Sequence, residues 1–296
     1  MAKLDTAKLL ERYRVTDGAA FRLKDHDCDD IAPKLVDQAE AERLLAEGVT
    51  RLSGLQELLA AQHSWSLLAV FQAMDAAGKD GTIKHVMSGV NPQGVWVTAF
   101  KQPGPEELDH DFLWRVIREL PERGRIGIFN RSHYEEVLVV RVHPDLLVRQ
   151  RLPARLAGAD IWQHRLKDIA AFEHYLVRQG TVVVKFFLNV SAAEQKRRLL
   201  DRLDHLDKNW KFSAGDVAER QHWHDYMAAY EAAIQATATE HAPWYVVPAD
   251  HKWFARLVVV EAMIAALEDL ALKPPALPES ARAELAAARA ALMKET

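Results

Sequence analysis

The sequence predicts an α/β protein, a mostly parallel sheet with helices on both faces and a helical lid over one end. Three observations carry this. Apolar, β-branched runs alternate with amphipathic stretches along the chain, the pattern of strand-helix-strand crossovers. One such run, Leu67-Leu68-Ala69-Val70-Phe71, passes at once into a small-residue turn and then into Gly78-Lys79-Asp80-Gly81-Thr82. Finally, residues 203–230 add charge and tryptophans but no strand, which suits a flap over a site at the sheet's edge.

In order, residues 1–34 read as a polar, irregular lead-in with Asp25, Asp27, Asp29 and Asp30 around Cys28. A metal loop and a solvated segment are both open there, and no regular ligand spacing favours the first. From Leu35 to Gln62 the apolar residues Leu45, Val49, Leu52, Leu55 and Leu59 recur at three- and four-residue steps, so a helix is predicted. Leu67–Phe71 is the first strand and Gly94–Phe100 the second. After Pro103 and Pro105, Glu106 and Glu107 open a helix predicted to run to about Leu120, its acidic first turn suiting the helix dipole. Gly124–Phe129 is a short strand, Ile161–Arg178 an amphipathic helix, and Thr181–Val190 the strongest strand. Ser191 with Glu194 three residues on marks a helix start. A helical stretch ends near Tyr230, Trp244–Val247 is a strand, and Phe254–Leu270 closes the domain. Pro274, Pro275 and Pro278 separate a peripheral Ala-rich helix. The division is therefore a lead-in (1–34), one domain (35–273) with its lid at about 203–230, and a tail (274–296).

Composition narrows the function. The 296 residues are 49% hydrophobic and 27% charged, ordinary for a globular protein, and the formal charge of −4 argues against wholesale binding to nucleic acid or a membrane surface. Cys28 is the only cysteine, so neither a disulfide framework nor a thiolate zinc site is available. No apolar run approaches the roughly 18 residues of a membrane span and no signal-peptide core is present, so a cytoplasmic protein is expected. The 13 histidines contain no HExxH, and no G-x-S-x-G elbow occurs.

A strand that breaks into a glycine turn and restarts as a helix presents backbone N–H groups and a lysine to a phosphate. The usual phosphate loop is imperfectly matched, with Ala73 at the first glycine position and Asp80 where a magnesium-binding Ser or Thr belongs. An ordinary strand-turn-helix stays open at this point. Phosphoryl transfer needs cationic donors, a metal and in-line positioning rather than covalent chemistry. Lys79 supplies a cation and Thr82 a hydroxyl, while Asp75 and Asp80 supply carboxylates for a hard cation. Asn130, Arg131 and Glu135 follow the next buried strand, at the end where open α/β sheets place ligands. Arg197, Arg198, Arg202, Lys208 and Lys211, interleaved with Trp210 and Phe212, could embrace a polyanion or form a solvated face.

The run Ala73–Thr82, then Ser88-Gly89-Val90-Asn91-Pro92, Phe129-Asn130-Arg131-Ser132-His133-Tyr134-Glu135, Asp207-Lys208-Asn209-Trp210-Lys211-Phe212 and Ala242-Pro243-Trp244-Tyr245 resembles the family-2 polyphosphate kinases, in order, from about Tyr13 to Leu272. The resemblance implies a phosphate-loop kinase fold, a three-layer α/β/α sandwich with a helical lid. It implies transfer of the terminal phosphoryl group of inorganic polyphosphate to AMP and ADP, giving ADP and ATP, with Mg2+ or Mn2+, by a homo-oligomer (dimer or tetramer). It further implies that Asp75, Lys79, Asn130, Arg131 and Glu135 are catalytic and that Asp75 and Asp80 hold metal. Ala76, Ala77, Gly78, Asp80, Gly81, Thr82 and Lys84 would bind phosphate, joined by Arg198, Arg202, Lys208 and Lys211 from the lid side. Asn130 stands where many members carry Asp, which leaves Asp75 or Asp80 to carry the metal. An ATP-dependent nucleoside-monophosphate kinase and a weakly catalytic polyphosphate- or nucleotide-binding module are the rival readings.

Overall fold

The computed structural model describes residues 5–32, 35–207, 209–211 and 213–295. Among them six strands form one sheet in the order β1-β6-β5-β2-β4-β3. These are β1 (Arg14–Val15), β2 (Ser66–Gln72), β3 (Val95–Ala99), β4 (Ile126–Asn130), β5 (Thr181–Asn189) and β6 (Trp244–Pro248). All neighbours run parallel except β1, which is antiparallel to β6. Every residue of β2 is buried, as a central parallel strand covered on both faces requires.

The helices are α1 (Thr6–Glu11), α2 (Gln38–Gln62), α3 (Lys79–Val86), α4 (Pro105–Leu108), α5 (Trp114–Ile117), α6 (Val139–Val142) and α7 (Asp145–Val148). They continue with α8 (Ile161–Arg178), α9 (Ala192–Asp204), α10 (Ala214–Glu219), α11 (Trp223–Thr237), α12 (Lys252–Glu268) and α13 (Glu279–Leu292). On one face α12, apolar on nearly all sides, packs along α2 and α3. The α2–α12 crossing is close because Gly48 has no side chain, and a Cβ there would lie 3.1 Å from Val260 Cγ1. On the other face α8 and α11 cover β5 and each other. Helices on both faces of a mostly parallel sheet are the architecture the alternation predicts, and none of the described helices is long and apolar enough to cross a membrane.

Two expectations are corrected. The lead-in is not simply irregular: Asp5 caps α1, β1 extends the sheet, and Leu9, Leu10, Tyr13, Val15, Phe21 and Leu23 join the core. The single helix expected from Glu106 to Leu120 is two short ones, because the Asp111 carboxylate takes the N–H of Leu113 (2.9 Å) and turns the chain between them. The tail helix α13 is peripheral as expected, with no buried residue.

For function the register matters most. Phe71 pairs with Asn130, and the N–H of Arg131 donates to the Phe71 carbonyl at 3.0 Å. The C-terminal ends of β2 and β4 therefore finish side by side, and the segments leaving them share one crevice.

Candidate active site

The turn from β2 into α3 is made by two left-handed residues, Ala76 (φ 62°) and Gly78 (φ 109°). Gly78 takes that conformation without strain, whereas Ala76 does so at a cost of about 1 kcal/mol. The result aims the free N–H groups at the start of α3 into the loop, an anion-binding arrangement. Lys79, the first residue of α3, is buried, and its ammonium donates to the Ala73 carbonyl at 2.7 Å. Burial first, and the charge of Arg131 second, lower its pKa against the pull of Asp75, Glu135 and Asp80. Thr82 is buried with its N–H on the Gly78 carbonyl (2.9 Å), while Lys84 is exposed on α3.

Arg198 holds this loop from behind. Its guanidinium donates to the carbonyls of Ala77 (2.6 Å), Ala76 (3.2 Å), Ala249 (2.6 Å) and Asp250 (3.0 Å), and its Nε to Glu194 (2.6 Å). Gln195, about one helical turn earlier, donates to the Asp75 carbonyl at 2.9 Å. The expectation that Arg198 faces a phosphate is corrected: every nitrogen of this buried side chain is already committed to protein oxygens. Ala76 and Ala77 are correspondingly turned with their carbonyls toward Arg198 rather than toward the crevice.

Across the crevice, Arg131 bridges two carboxylates, Asp75 Oδ1 at 2.9 Å and Glu135 Oε2 at 3.4 Å. Its backbone is left-handed (φ 64°), so the segment after β4 is strained at this residue. The charges of Glu135 and Asp75 raise the Arg131 pKa, while burial pushes the Glu135 carboxyl above its ordinary range. Gln72, at the end of β2, reaches both Glu135 (2.9 Å) and Ser132 Oγ (3.0 Å) when its amide nitrogen is turned to the carboxylate. Asn130 donates to Asp80 Oδ1 at 2.6 Å, tying the end of β4 to the first turn of α3. The expected residues thus form two contact groups, Asp75–Arg131–Glu135 and Asp80–Asn130, side by side at the ends of β2 and β4, and Lys79 feels the charges of Arg131, Asp75, Glu135 and Asp80.

The lid side is less engaged. Arg202 pairs with Asp216 at 3.1 Å, a contact between α9 and α10. Lys208 and Phe212 lie outside the described residues, as does the side chain of Lys211. Trp210 is largely exposed.

A cavity of about 410 Å³ opens from Arg131 and Glu135 away from the phosphate loop. Its walls come from the 100–116 and 139–150 segments, which sequence reasoning left unassigned. Arg115 lies over the Phe100 ring (5.1 Å) and Arg165 over Phe112 (4.4 Å), so cations are held against aromatic faces around the cavity. The signal was in the sequence, as Phe112, Trp114, Arg115 and Arg118 lie close together, but the short helices there have too little periodicity to place them. Among the described residues no group of three or more His, Cys, Asp or Glu side chains is arranged to hold a metal. Asp75 and Asp80 each spend Oδ1 on a neighbour, which leaves Oδ2 of both for a cation that draws its other ligands from water and phosphate.

A helix N-terminus with a buried lysine beside a carboxylate–arginine–carboxylate bridge is an arrangement suited to phosphate groups, on a fold of the phosphate-loop class. The family profile described as Polyphosphate kinase 2 (PPK2) matches residues 35–274. The chain is 52% identical over 252 residues (85% of this chain, 87% of the relative) to the ADP-polyphosphate phosphotransferase of Rhodopseudomonas palustris. It is 45% identical over 272 residues (92% and 97%) to the AMP/ADP-polyphosphate phosphotransferase of Meiothermus ruber. The crystal structure of polyphosphate kinase 2 from Arthrobacter aurescens TC1 superposes with a TM-score of 0.84 at 42% identity, covering 97% of each chain. The chain belongs to the polyphosphate kinase 2 family.

Proposed function

We propose that this enzyme transfers the terminal phosphoryl group of inorganic polyphosphate to AMP and to ADP. The observation that carries the reading is the Asp75–Arg131–Glu135 bridge, which stands between the phosphate loop and the cavity, where donor and acceptor phosphates must meet. The R. palustris relative is named for ADP and the M. ruber relative for both nucleotides.

Lys79 and the N–H groups opening α3 bind the transferring phosphoryl group. Lys79 exchanges its internal Ala73 contact for a phosphate oxygen that repays its burial better. Arg131 binds the oxygens shared between donor and acceptor, and Glu135 and Asp75 hold its guanidinium flat for that contact. The acceptor oxygen is already anionic near neutral pH, so no side chain removes a proton. The P–O bond to the penultimate phosphate of the polymer breaks and one to the nucleotide's terminal phosphate forms. One phosphoanhydride replaces another when ADP or AMP accepts, so the reaction runs both ways. Asp75 and Asp80 would hold magnesium, or manganese with the same oxygen preference, and the metal would neutralise charge on the phosphoryl oxygens. Residues 203–230 would act as the lid, and Arg202, Lys208 and Lys211 would contribute cations to polyphosphate. The same reading has the protein working in the cytoplasm as a homo-oligomer, on free polyphosphate and nucleotides rather than nucleic acid or membrane.

The test is incubation of the protein with magnesium, polyphosphate and either AMP or ADP, with the nucleotides separated by chromatography. ADP followed by ATP from AMP is the expected result. Product from ADP alone would restrict the acceptor to ADP. No product, with ATP plus AMP still giving ADP, would replace the donor and make this a monophosphate kinase. Asp75→Asn should lower turnover by roughly 100-fold with the unfolding midpoint preserved, and unchanged turnover would remove Asp75 from the mechanism.

A further inference from the structure

Strand β5 contains an anomaly. In the otherwise apolar run Thr181–Val190, Lys185 is fully buried, and it pairs in register with Val70 of the phosphate-loop strand and Trp244 of β6. Its ammonium donates to Glu173 Oε2 of α8 (2.5 Å) and to the Thr237 carbonyl of α11 (2.8 Å). Glu173, also fully buried, uses its other oxygen on the segment that leaves β4: Tyr134 Oη donates to Oε1 at 2.7 Å, and His133 Nε2 lies 3.3 Å from it. Thr237 Oγ1 sits 2.8 Å from the same tyrosine oxygen and accepts from Trp244 Nε1 at 2.9 Å. Tyr134 and Trp244 stack edge to face, with ring centroids 4.8 Å apart.

A buried ion pair is a poor source of stability, because desolvation of both charges offsets their attraction and apolar residues of like volume serve as well. What this pair does is grip His133 and Tyr134, which lie between Arg131 and Glu135. Arg131 is left-handed, a conformation that persists only when its surroundings over-determine it. His133 also lines the cavity beside Arg131 and Glu135.

We propose that Glu173, held by Lys185, is a positioning residue for phosphoryl transfer: through Tyr134 and His133 it fixes the strained Arg131–Glu135 segment so that Arg131, braced by Glu135, meets the reacting phosphates. This rests on the assignment of Arg131 and Glu135 to that reaction.

The test is the double variant Glu173→Leu/Lys185→Met, which replaces the pair with apolar side chains, alongside Tyr134→Phe and the wild-type protein. Unfolding midpoints in denaturant and kcat and KM for polyphosphate and nucleotide are measured on each. The double variant should stay folded, with a midpoint lowered only as far as the lost contacts to His133 and the Thr237 carbonyl require, while kcat falls roughly 10- to 100-fold with little change in either KM. Tyr134→Phe should fall in the same sense by a smaller factor. In an Arg131→Ala background the double variant should cost almost nothing further, since the arginine it positions is gone. A folded double variant with wild-type kcat, or a loss that simply multiplies with that of Arg131→Ala, overturns the proposal. If the double variant does not fold, Tyr134→Phe decides, and an unchanged kcat there overturns it. Absence of transfer by the wild-type protein is a separate result that would remove the reaction rather than the positioning.

Discussion

Arg198 gives the clearest case of a residue whose type is visible in the sequence and whose job is not. On the basic stretch Lys196–Arg202 it reads as one more cation for a polyanion, yet it is buried and its guanidinium closes the phosphate loop onto the 249–250 turn. Nothing in helical periodicity reveals that carbonyls from two distant loops converge on that position. Arg198→Met should therefore destabilise the fold by roughly 3 kcal/mol, since loop carbonyls and a carboxylate lose their donor together. It should raise KM for polyphosphate as the loop loosens. A surface phosphate contact would instead change KM without moving the denaturation midpoint, so the two measurements separate the roles. Glu194 extends the argument to pH. Hydrogen bonds from Arg197 first, then Arg198, hold its carboxyl at about 2 against an ordinary 4.5, although burial works the other way. A depressed folded-state pKa contributes stability that is fully present above 4.5 and lost as pH falls toward 2. Thermal midpoints measured down that window should drop less steeply in Glu194→Gln than in the wild-type protein. That Asp75, Lys79, Asn130 and Arg131 would lie near one crevice was legible without coordinates because each stands at or just past the end of a buried strand, where a parallel sheet puts its ligands.

Elements were legible in proportion to their length. β5, α2, α8 and α12 have enough residues for period and composition to agree, and their positions match the expectation closely. β1 has two residues and no period of its own. It exists because β6 needs a partner on its outer edge and because Tyr13 and Val15 find an apolar surface there, both tertiary facts. Tyr13 packs edge to face on Phe254 at 5.7 Å, and its hydroxyl donates to Asp30 at 2.8 Å. Tyr13→Ala should cost roughly 3 kcal/mol in chemical denaturation while leaving the KM values unchanged, because this edge is far from the β2–β4 crevice in the strand order. A loss of less than about 1 kcal/mol would return the segment to the status of a solvated lead-in. The cavity walls failed for the same reason. Between Phe100 and Gln150 the helices are four residues each, and Asx and proline turns rather than periodicity decide where their side chains land.

At the scale of the molecule, the strand order puts β2 between β4 and β5, so the chain leaves β2 toward one edge through β3 and returns past it to β5 on the other side. That reversal opens the crevice in which the phosphate loop and the Arg131 segment meet. It also places Lys79 and Arg131 there, beside Asp75, Asp80 and Glu135, on a protein whose formal charge is −4 and whose proposed donor is a polyanion. Two electrostatic effects then compete. Net charge repels the polymer at long range, and added salt would screen that repulsion and lower KM. Lys79, Arg131 and the basic helix attract it at short range, and salt would weaken that attraction and raise KM. The Debye length is about 10 Å at 0.1 M salt, comparable to the span of the crevice, while four net charges spread over a 296-residue surface act from further away and are screened first. The local attraction should win. KM for polyphosphate should rise roughly 10-fold between about 0.05 and 0.5 M potassium chloride, with kcat nearly constant and KM for the nucleotide, which carries fewer phosphates, rising less. A polyphosphate KM that falls over the same range would mean that the net charge governs encounter and that the crevice cations are neutralised by their own carboxylates before the polymer arrives.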